Sequence, residues 1–105
     1  MVTVEWTAGA YEDLTDLCND APGDERERII EAATRIDHLL QYSPSTQGEA
    51  LFAGQLQPET LEELILRMDV IPEISRRIRF GPIEVYFTDH EDEGRAIVWC
   101  LQRRT

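Results

Sequence analysis

The sequence contains no lysine, only two cysteines, and no apolar run longer than the six residues Ala96–Leu101. Such a run is far too short to cross a bilayer, which takes about 20 apolar residues. Cys18 and Cys100 lack metal-type spacing, which excludes a disulfide framework or a cysteine metal site. The amino-terminal residues lack the basic segment and apolar stretch of a secretion signal. The sequence therefore predicts a cytoplasmic protein without a membrane segment.

Acidic residues are in large excess. The chain of 105 residues carries 21 acids against 10 basic residues, all of them arginine, for a net charge of −11. The imbalance is uneven, because residues 1–73 hold 16 acids and four arginines, whereas residues 74–105 hold five acids and six arginines. A surface of this charge repels nucleic acid on average. The last third is the only region with a surplus of positive charge.

The first half of the chain has the pattern of one strand followed by two helices. Apolar residues alternate over residues 2–6, as in a half-buried strand, and Thr7 is a suitable helix N-cap. Helical spacing of apolar residues follows over Ala10–Ala21 and Ile29–Leu40, with Pro22 and Gly23 between them. Two amphipathic helices with a short turn predict a helical hairpin.

The second half predicts one more helix and a meander of strands. Pro58 suits a first helical turn, and an apolar stripe follows it to Met68. Three alternating segments then occupy residues 74–80, 83–88 and 95–101. The sequence predicts an α+β domain with helices on one face of an antiparallel sheet. Whether the third helix packs on the body, and where the first strand pairs, stay open.

Three motifs carry a family resemblance. They are Val4-Glu5-Trp6-Thr7, the segment from Arg35-Ile36-Asp37 to Gly48-Glu49, and Arg76 to Phe87 with its Gly81-Pro82 turn. Together with the β-α-α-β-β-β order, they resemble toxins of the RelE/ParE superfamily of bacterial toxin–antitoxin systems, which include plasmid stabilisation proteins. The resemblance implies one toxin domain over residues 1–105, with residues 55–73 as a helical insertion.

The resemblance implies a toxin that a cognate antitoxin neutralises by wrapping around the sheet and helices. Members of the RelE branch enter the ribosome and cleave mRNA without a metal, whereas the ParE branch inhibits DNA gyrase. Neither branch implies a cofactor, a metal or a membrane. His38 and His90 form no metal-type constellation in the sequence.

Metal-free RNA cleavage needs proton carriers and cations around the phosphate. By resemblance, Arg76 and Arg79 are the candidate catalytic cations and Tyr86 is the candidate proton carrier. Against catalysis, Ile83-Glu84 stands where active members usually carry an arginine, and family lysines are absent. A carboxylate at Glu84 on the face of Tyr86 would repel a scissile phosphate.

Binding to a protein partner is the favoured interpretation. Its candidate residues are cations that could meet acids of an antitoxin segment lying across an exposed sheet face, namely Arg77, Arg79, Arg103 and Arg104. Three hypotheses stay open: a toxin that inhibits growth by binding its target, a ribosome-dependent RNA-cleaving toxin, and a decayed toxin that binds antitoxin without being toxic.

Overall fold

A computed structural model describes residues 1–104 of the chain and confirms the α+β class. In chain order the helices and strands are β1 Thr3–Trp6, α1 Ala8–Asn19, α2 Gly23–Leu40, β2 Glu49–Phe52, α3 Pro58–Met68, β3 Ile74–Phe80, β4 Ile83–His90 and β5 Arg95–Arg103. Over these described residues, no helix has both the length and the hydropathy needed to span a membrane.

The strands form one mixed sheet in the order β1-β5-β4-β3-β2. The sheet is mixed, because β1, whose pairing the sequence left open, runs parallel to β5, whereas the other strands pair antiparallel as predicted. The amide of Thr3 donates to the Gly94 carbonyl at 2.9 Å, and that of Thr7 to Val98 at 3.1 Å. This direction delivers the chain from β1 straight into α1 beside the middle of β5, where Ala10 enters the core.

One face of the sheet, which we call the hairpin face, packs against α1 and α2. Thr7 caps α1 as predicted, since its hydroxyl oxygen accepts the Ala10 amide at 3.2 Å. Apolar residues at helical spacing on α2 face the alternating apolar residues of β3, β4 and β5. The buried cluster includes Ile29, Ile36, Leu40, Ile78, Ile83, Val85, Phe87, Val98 and Leu101.

The opposite face packs against α3, and we call it the α3 face. Leu64 of α3 is fully buried with Leu51, Leu56, Tyr86 and Cys100. The helical hairpin thus covers one face, as predicted, and the third helix, whose packing the sequence left open, covers the other. Alternate residues of β4 and β5 point to this face, and the apolar stripe of α3 packs against those that are apolar. The helix lies inside residues 55–73 and ends at Met68, where Asp69 adopts a left-handed conformation.

Candidate functional site

The register of β3 and β4 determines which candidate residues share a face. Arg77 lies opposite Tyr86 and Arg79 lies opposite Glu84, all on the α3 face. Arg76 lies opposite Phe87, whose side chain belongs to the hairpin-face core. The structure therefore brings Arg77, Arg79 and Tyr86 together and separates Arg76 from them. The predicted alternation of β3 is borne out.

Arg79 is held by a buried carboxylate. Its Nε lies 2.9 Å from Oε2 of Glu84, and the Glu84 side chain is only 7% exposed. A carboxylate at this depth needs a partner, since a buried unpaired charge is strongly destabilising. The guanidinium of Arg79 is therefore the counter-ion of Glu84, which does lie on the face of Tyr86.

Arg77 forms an ion pair with Glu49 across the β2–β3 pairing. The Arg77 Nε donates to Glu49 Oε1 at 3.0 Å, and this bond lowers the pKa of the Glu49 carboxyl. Burial acts to lower the pKa of Arg77, but Glu49 and Tyr86 outweigh it and leave that pKa raised. Both groups of the pair are thus charged and matched within the chain.

Tyr86 lies beneath α3 and is 4% exposed. Its neighbours in the cluster are Leu51, Leu56, Leu64 and Cys100. Burial, with a smaller contribution from the Asp13 carboxylate, raises the pKa of the Cys100 thiol to about 12. The α3 face is therefore a closed apolar layer at this point, and the predicted exposed sheet face is absent around Tyr86.

Arg76 reaches the loop before β2 and also borders a surface cavity. Its Nε donates to the Gln47 carbonyl at 3.0 Å. The cavity, of about 320 Å³, is lined by Ile74, Arg76, Thr88, Asp89 and His90. Inside it, His90 Nε2 lies 2.9 Å from the Thr88 hydroxyl, which also accepts from the Trp99 indole at 2.8 Å. Arg76 and His90 thus share an accessible place that the sequence did not reveal.

The two arginines at the carboxyl end lie apart from the others. Arg103 pairs with Glu25 at the start of α2. Arg104 donates its backbone amide to the Pro82 carbonyl at 2.8 Å, and its side chain is exposed. The six arginines of the last third thus form no single cluster. Within residues 1–104, four of them, Arg77, Arg79, Arg95 and Arg103, already face carboxylates.

A further charged pair, Asp13 with Arg67, was missed by sequence reasoning. A β-bulge in β5 leaves Trp99 as an extra residue, since Tyr86 pairs with Cys100 and Phe87 with Val98. Arg67 Nη1 donates to the Trp99 carbonyl at 2.7 Å and to Asp13 Oδ2 at 2.7 Å.

The same Asp13 oxygen accepts the Leu101 amide at 2.9 Å. The pair thus occupies the β5 edge beyond the end of β1, as a neighbouring strand would. A Cβ on Gly9 would lie 3.1 Å from the Arg67 guanidinium, so the glycine makes room for it. Glu63, one turn before Arg67 on α3, completes the group.

Comparisons with protein-family models, with curated proteins and with solved structures found no match for this chain. Among the residues that the structure describes, no group of three or more histidine, cysteine, aspartate or glutamate side chains is arranged to hold a metal ion. The arguments for function therefore come from the arginines, Tyr86 and the surfaces around them.

Proposed function

We propose that this chain is a RelE/ParE-like toxin of a toxin–antitoxin pair that acts by binding other proteins and does not cleave RNA. The burial of Tyr86 carries the proposal. A proton carrier must come within hydrogen-bond reach of the reacting oxygen. At 4% exposure beneath α3, the Tyr86 side chain offers almost no surface to a substrate in solvent.

The charge pairs on the same face also argue against cleavage. The charge of Arg79 is already balanced by Glu84, and a phosphate that displaced Glu84 would leave that carboxylate buried without its partner. Removing one member of a buried pair costs about 3–5 kcal/mol. A contact between the phosphate and one guanidinium would not offset this cost. The net negative charge of the chain also repels the phosphate.

The order of elements supports the toxin class. Without β2 and α3, the chain runs strand, helix, helix and three strands, which is the order that the resemblance implies. A net charge of −11 also favours a protein partner over ribosomal RNA or DNA. The expected partner is a cognate antitoxin, and the growth target is a protein such as DNA gyrase.

Expression with and without the neighbouring reading frame tests this proposal. We expect the chain alone to arrest bacterial growth, and co-expression to restore growth and yield a stable complex. Ribosome-programmed mRNA should stay uncut. Growth arrest without a complex, or no growth arrest and no complex, would contradict the proposal. A complex without growth arrest would identify a decayed toxin.

Variants separate binding from catalysis. Tyr86→Phe, Arg76→Ala and the double change Arg79→Ala with Glu84→Gln should all leave growth arrest unchanged. The double change avoids a buried carboxylate without a partner. Arg28→Ala, at an exposed position on α2, is the matched control. Loss of toxicity and of mRNA cuts in the first set alone would favour the RNA-cleaving hypothesis.

A further inference from the structure

We propose that a cavity between α1 and α2, with two aromatic rings and the carboxylate of Asp37 in its lining, binds an arginine side chain of the partner protein. This inference rests on the proposed function and gives it a contact surface and a partner chemistry. The cavity, which we call the α1–α2 cavity, has a volume of about 290 Å³. Its lining residues are Trp6, Tyr11, Leu14, Ala33, Thr34 and Asp37.

The α1–α2 cavity lies where the first strand hands over to the helical hairpin. Trp6 is the last residue of β1, Tyr11 follows in the first turns of α1, and Asp37 lies in the last turn of α2. Ala33, one turn before Asp37, contributes only a methyl group to the lining. The cavity thus combines a carboxylate from one helix with aromatic rings from the strand and the helix beside it.

Asp37 carries a charge that no cation within residues 1–104 balances. The Trp6 indole Nε1 donates to Asp37 Oδ1 at 2.7 Å, and Gln41 Nε2 donates to Oδ2 at 3.2 Å. Both donors are neutral, so they fix the position of the carboxylate and leave its charge in place. The half-buried Asp37 forms no ion pair among the described residues. Each carboxylate oxygen has a second lone pair for a further donor.

Asp37 differs in this respect from two other carboxylates that are withdrawn from solvent. The half-buried Asp13 is paired with Arg67, and the buried Glu84 is paired with Arg79. These two acids are matched inside the fold, as buried charges usually are. Asp37 is held in place but has no such match, so its counter-ion has to come from solvent or from another molecule.

Two aromatic rings make arginine the best side chain for this place. The ring centroids of Trp6 and Tyr11 lie 6.1 Å apart, and the ring planes are tilted by 33°. Tyr11 is 57% exposed, and Trp6 is half-buried. A guanidinium is planar, stacks on aromatic rings and donates to both oxygens of a carboxylate, while its aliphatic stem packs on apolar surface.

No cation of the chain competes for the α1–α2 cavity. The two basic residues next to Asp37 in sequence, Arg35 and His38, line a different cavity of about 620 Å³ together with Phe80. Arg26, near the start of α2, donates to the backbone carbonyl groups of Cys18 and Ala21. The net charge of −11 also attracts a basic segment and repels an acidic one.

The size of the cavity favours a single side chain of a protein. Pockets for small-molecule ligands usually measure about 300–1,000 Å³ and enclose most of the ligand. At about 290 Å³, the α1–α2 cavity is at the lower end of this range and suits a side chain whose backbone stays outside. A second copy of this chain is a poor source of that arginine, because both molecules carry a net charge of −11.

Two short peptides test the cavity directly. The probe is a five-residue peptide with one arginine between glycines and with both ends blocked. Its control carries citrulline, which has the shape of arginine without the charge. We expect the arginine peptide to bind at least about tenfold more tightly at low salt, because only a cation pairs with Asp37. In an NMR titration, the Trp6 indole N–H and the Tyr11 ring should shift.

The titration also defines the results that contradict the proposal. Equal binding of the two peptides would show that the charge of Asp37 does not select the occupant. No binding of the arginine peptide, or shifts confined to residues outside the α1–α2 cavity, would overturn the proposal.

A charge variant tests the role of the carboxylate. Asp37→Asn should remove the preference for arginine over citrulline, because it deletes the charge and keeps an oxygen that accepts from Trp6. Asp16→Asn, at an exposed position on α1, is the matched control and should retain the preference. An Asp37→Asn chain that still prefers arginine by about tenfold would refute the ion pair.

A ring variant tests the cavity without touching the carboxylate. Tyr11→Ala should weaken the arginine peptide severalfold and leave the fold intact, because Tyr11 is 57% exposed. Tyr42→Ala is the matched control, since Tyr42 is 53% exposed and its ring lies against His38. Equal affinities of these two variants for the peptide would overturn the assignment of this cavity.

The natural partner separates this inference from the proposed function. Asp37→Asn and Tyr11→Ala should each weaken the complex with the neighbouring protein about tenfold, whereas the two control variants should not. An undiminished complex would overturn this inference and leave the proposed function standing. If the native chain forms no complex, the proposed function fails, and the peptide titration alone decides whether the cavity binds arginine. Dimerisation of the native chain that Asp37→Asn abolishes would identify a second copy as the occupant and overturn the proposal.

Discussion

The hairpin face and the α3 face of the sheet are stabilised in different ways. On the hairpin face, apolar residues such as Val85, Phe87 and Val98 are fully buried under two helices. The α3 face combines a small apolar cluster around Tyr86 with the Arg79–Glu84 ion pair. The chain covers the α3 face with its own helix, so this face is not exposed over the apolar cluster.

The difference changes where function is expected. Arginines on an exposed sheet face could bind an acidic segment of another protein, whereas arginines that are paired inside the fold stabilise the fold itself. Most arginines of residues 74–104 are paired with carboxylates of the same chain. The cavity beside Arg76 is an accessible place that these ion pairs do not close.

The largest expected effect is on the hairpin face. Phe87→Ala should lower the free energy of unfolding by about 3–5 kcal/mol, because it removes a fully buried ring and leaves a cavity. Phe52→Ala is the matched control, since Phe52 is 62% exposed and should change stability by less than about 1 kcal/mol. Urea unfolding measures both. Similar losses in the two variants would contradict the assignment of the core.

The next effect tests whether α3 belongs to the folded body. Leu64→Ala should cost about 2–5 kcal/mol, because Leu64 is fully buried against the sheet. Leu66→Ala, on the same helix at 78% exposure, should stay within about 0.5 kcal/mol. If the two variants unfold at the same urea concentration, α3 is a detached insertion and the α3 face is open.

Local pattern was enough to predict most elements. Thr7 caps α1, the helix behind Pro58 forms, and β3 alternates as expected. These features depend on neighbours within a few residues, so the sequence contains their cause. The direction of β1 depends instead on where β5 lies, almost the whole chain away in sequence.

Docking and charge pairing were not predictable in the same way. The apolar stripe of α3 fits any apolar surface, and nothing local selects the α3 face. Arg67 meets Asp13 across 54 positions of sequence. Glu84 on the face of Tyr86 was anticipated, but its pairing with Arg79 was not. Of the candidate catalytic residues, Arg79 and Tyr86 therefore share a face, whereas Arg76 lies on the other face and Tyr86 is buried.

A smaller effect is expected from the charged pair that joins α1, α3 and β5. Asp13→Ala should cost about 2–3 kcal/mol, because it leaves a half-buried guanidinium and the Leu101 amide without their acceptor. Asp16→Ala, exposed on the same helix, is the control and should be near neutral. A double-mutant cycle with Arg67→Ala should show coupling, and its absence would remove the pair as a link between the faces.

The smallest expected effect is chemical and reports whether the α3 face stays closed. The raised pKa of Cys100, about 12, makes its thiolate a minor species at pH 8. Iodoacetamide should therefore modify half-buried Cys18 while Cys100 stays protected, and a Cys18→Ser variant should react only after urea is added.

The same shift predicts a pH dependence of stability. The unfolded thiol ionises near its ordinary pKa of 9.0, whereas the folded thiol holds its proton up to about pH 12. The contribution of this thiol to the free energy of unfolding is therefore fully present below pH 9 and is lost as pH rises from 9 to 12. The Cys100→Ala variant should lack this pH-dependent component in urea titrations.

The alkylation experiment can also contradict the closed α3 face. If Cys100 in the native chain reacts with iodoacetamide as fast as Cys18, α3 opens readily. Tyr86, its neighbour, would then be accessible to a substrate, and RNA cleavage would return as a hypothesis.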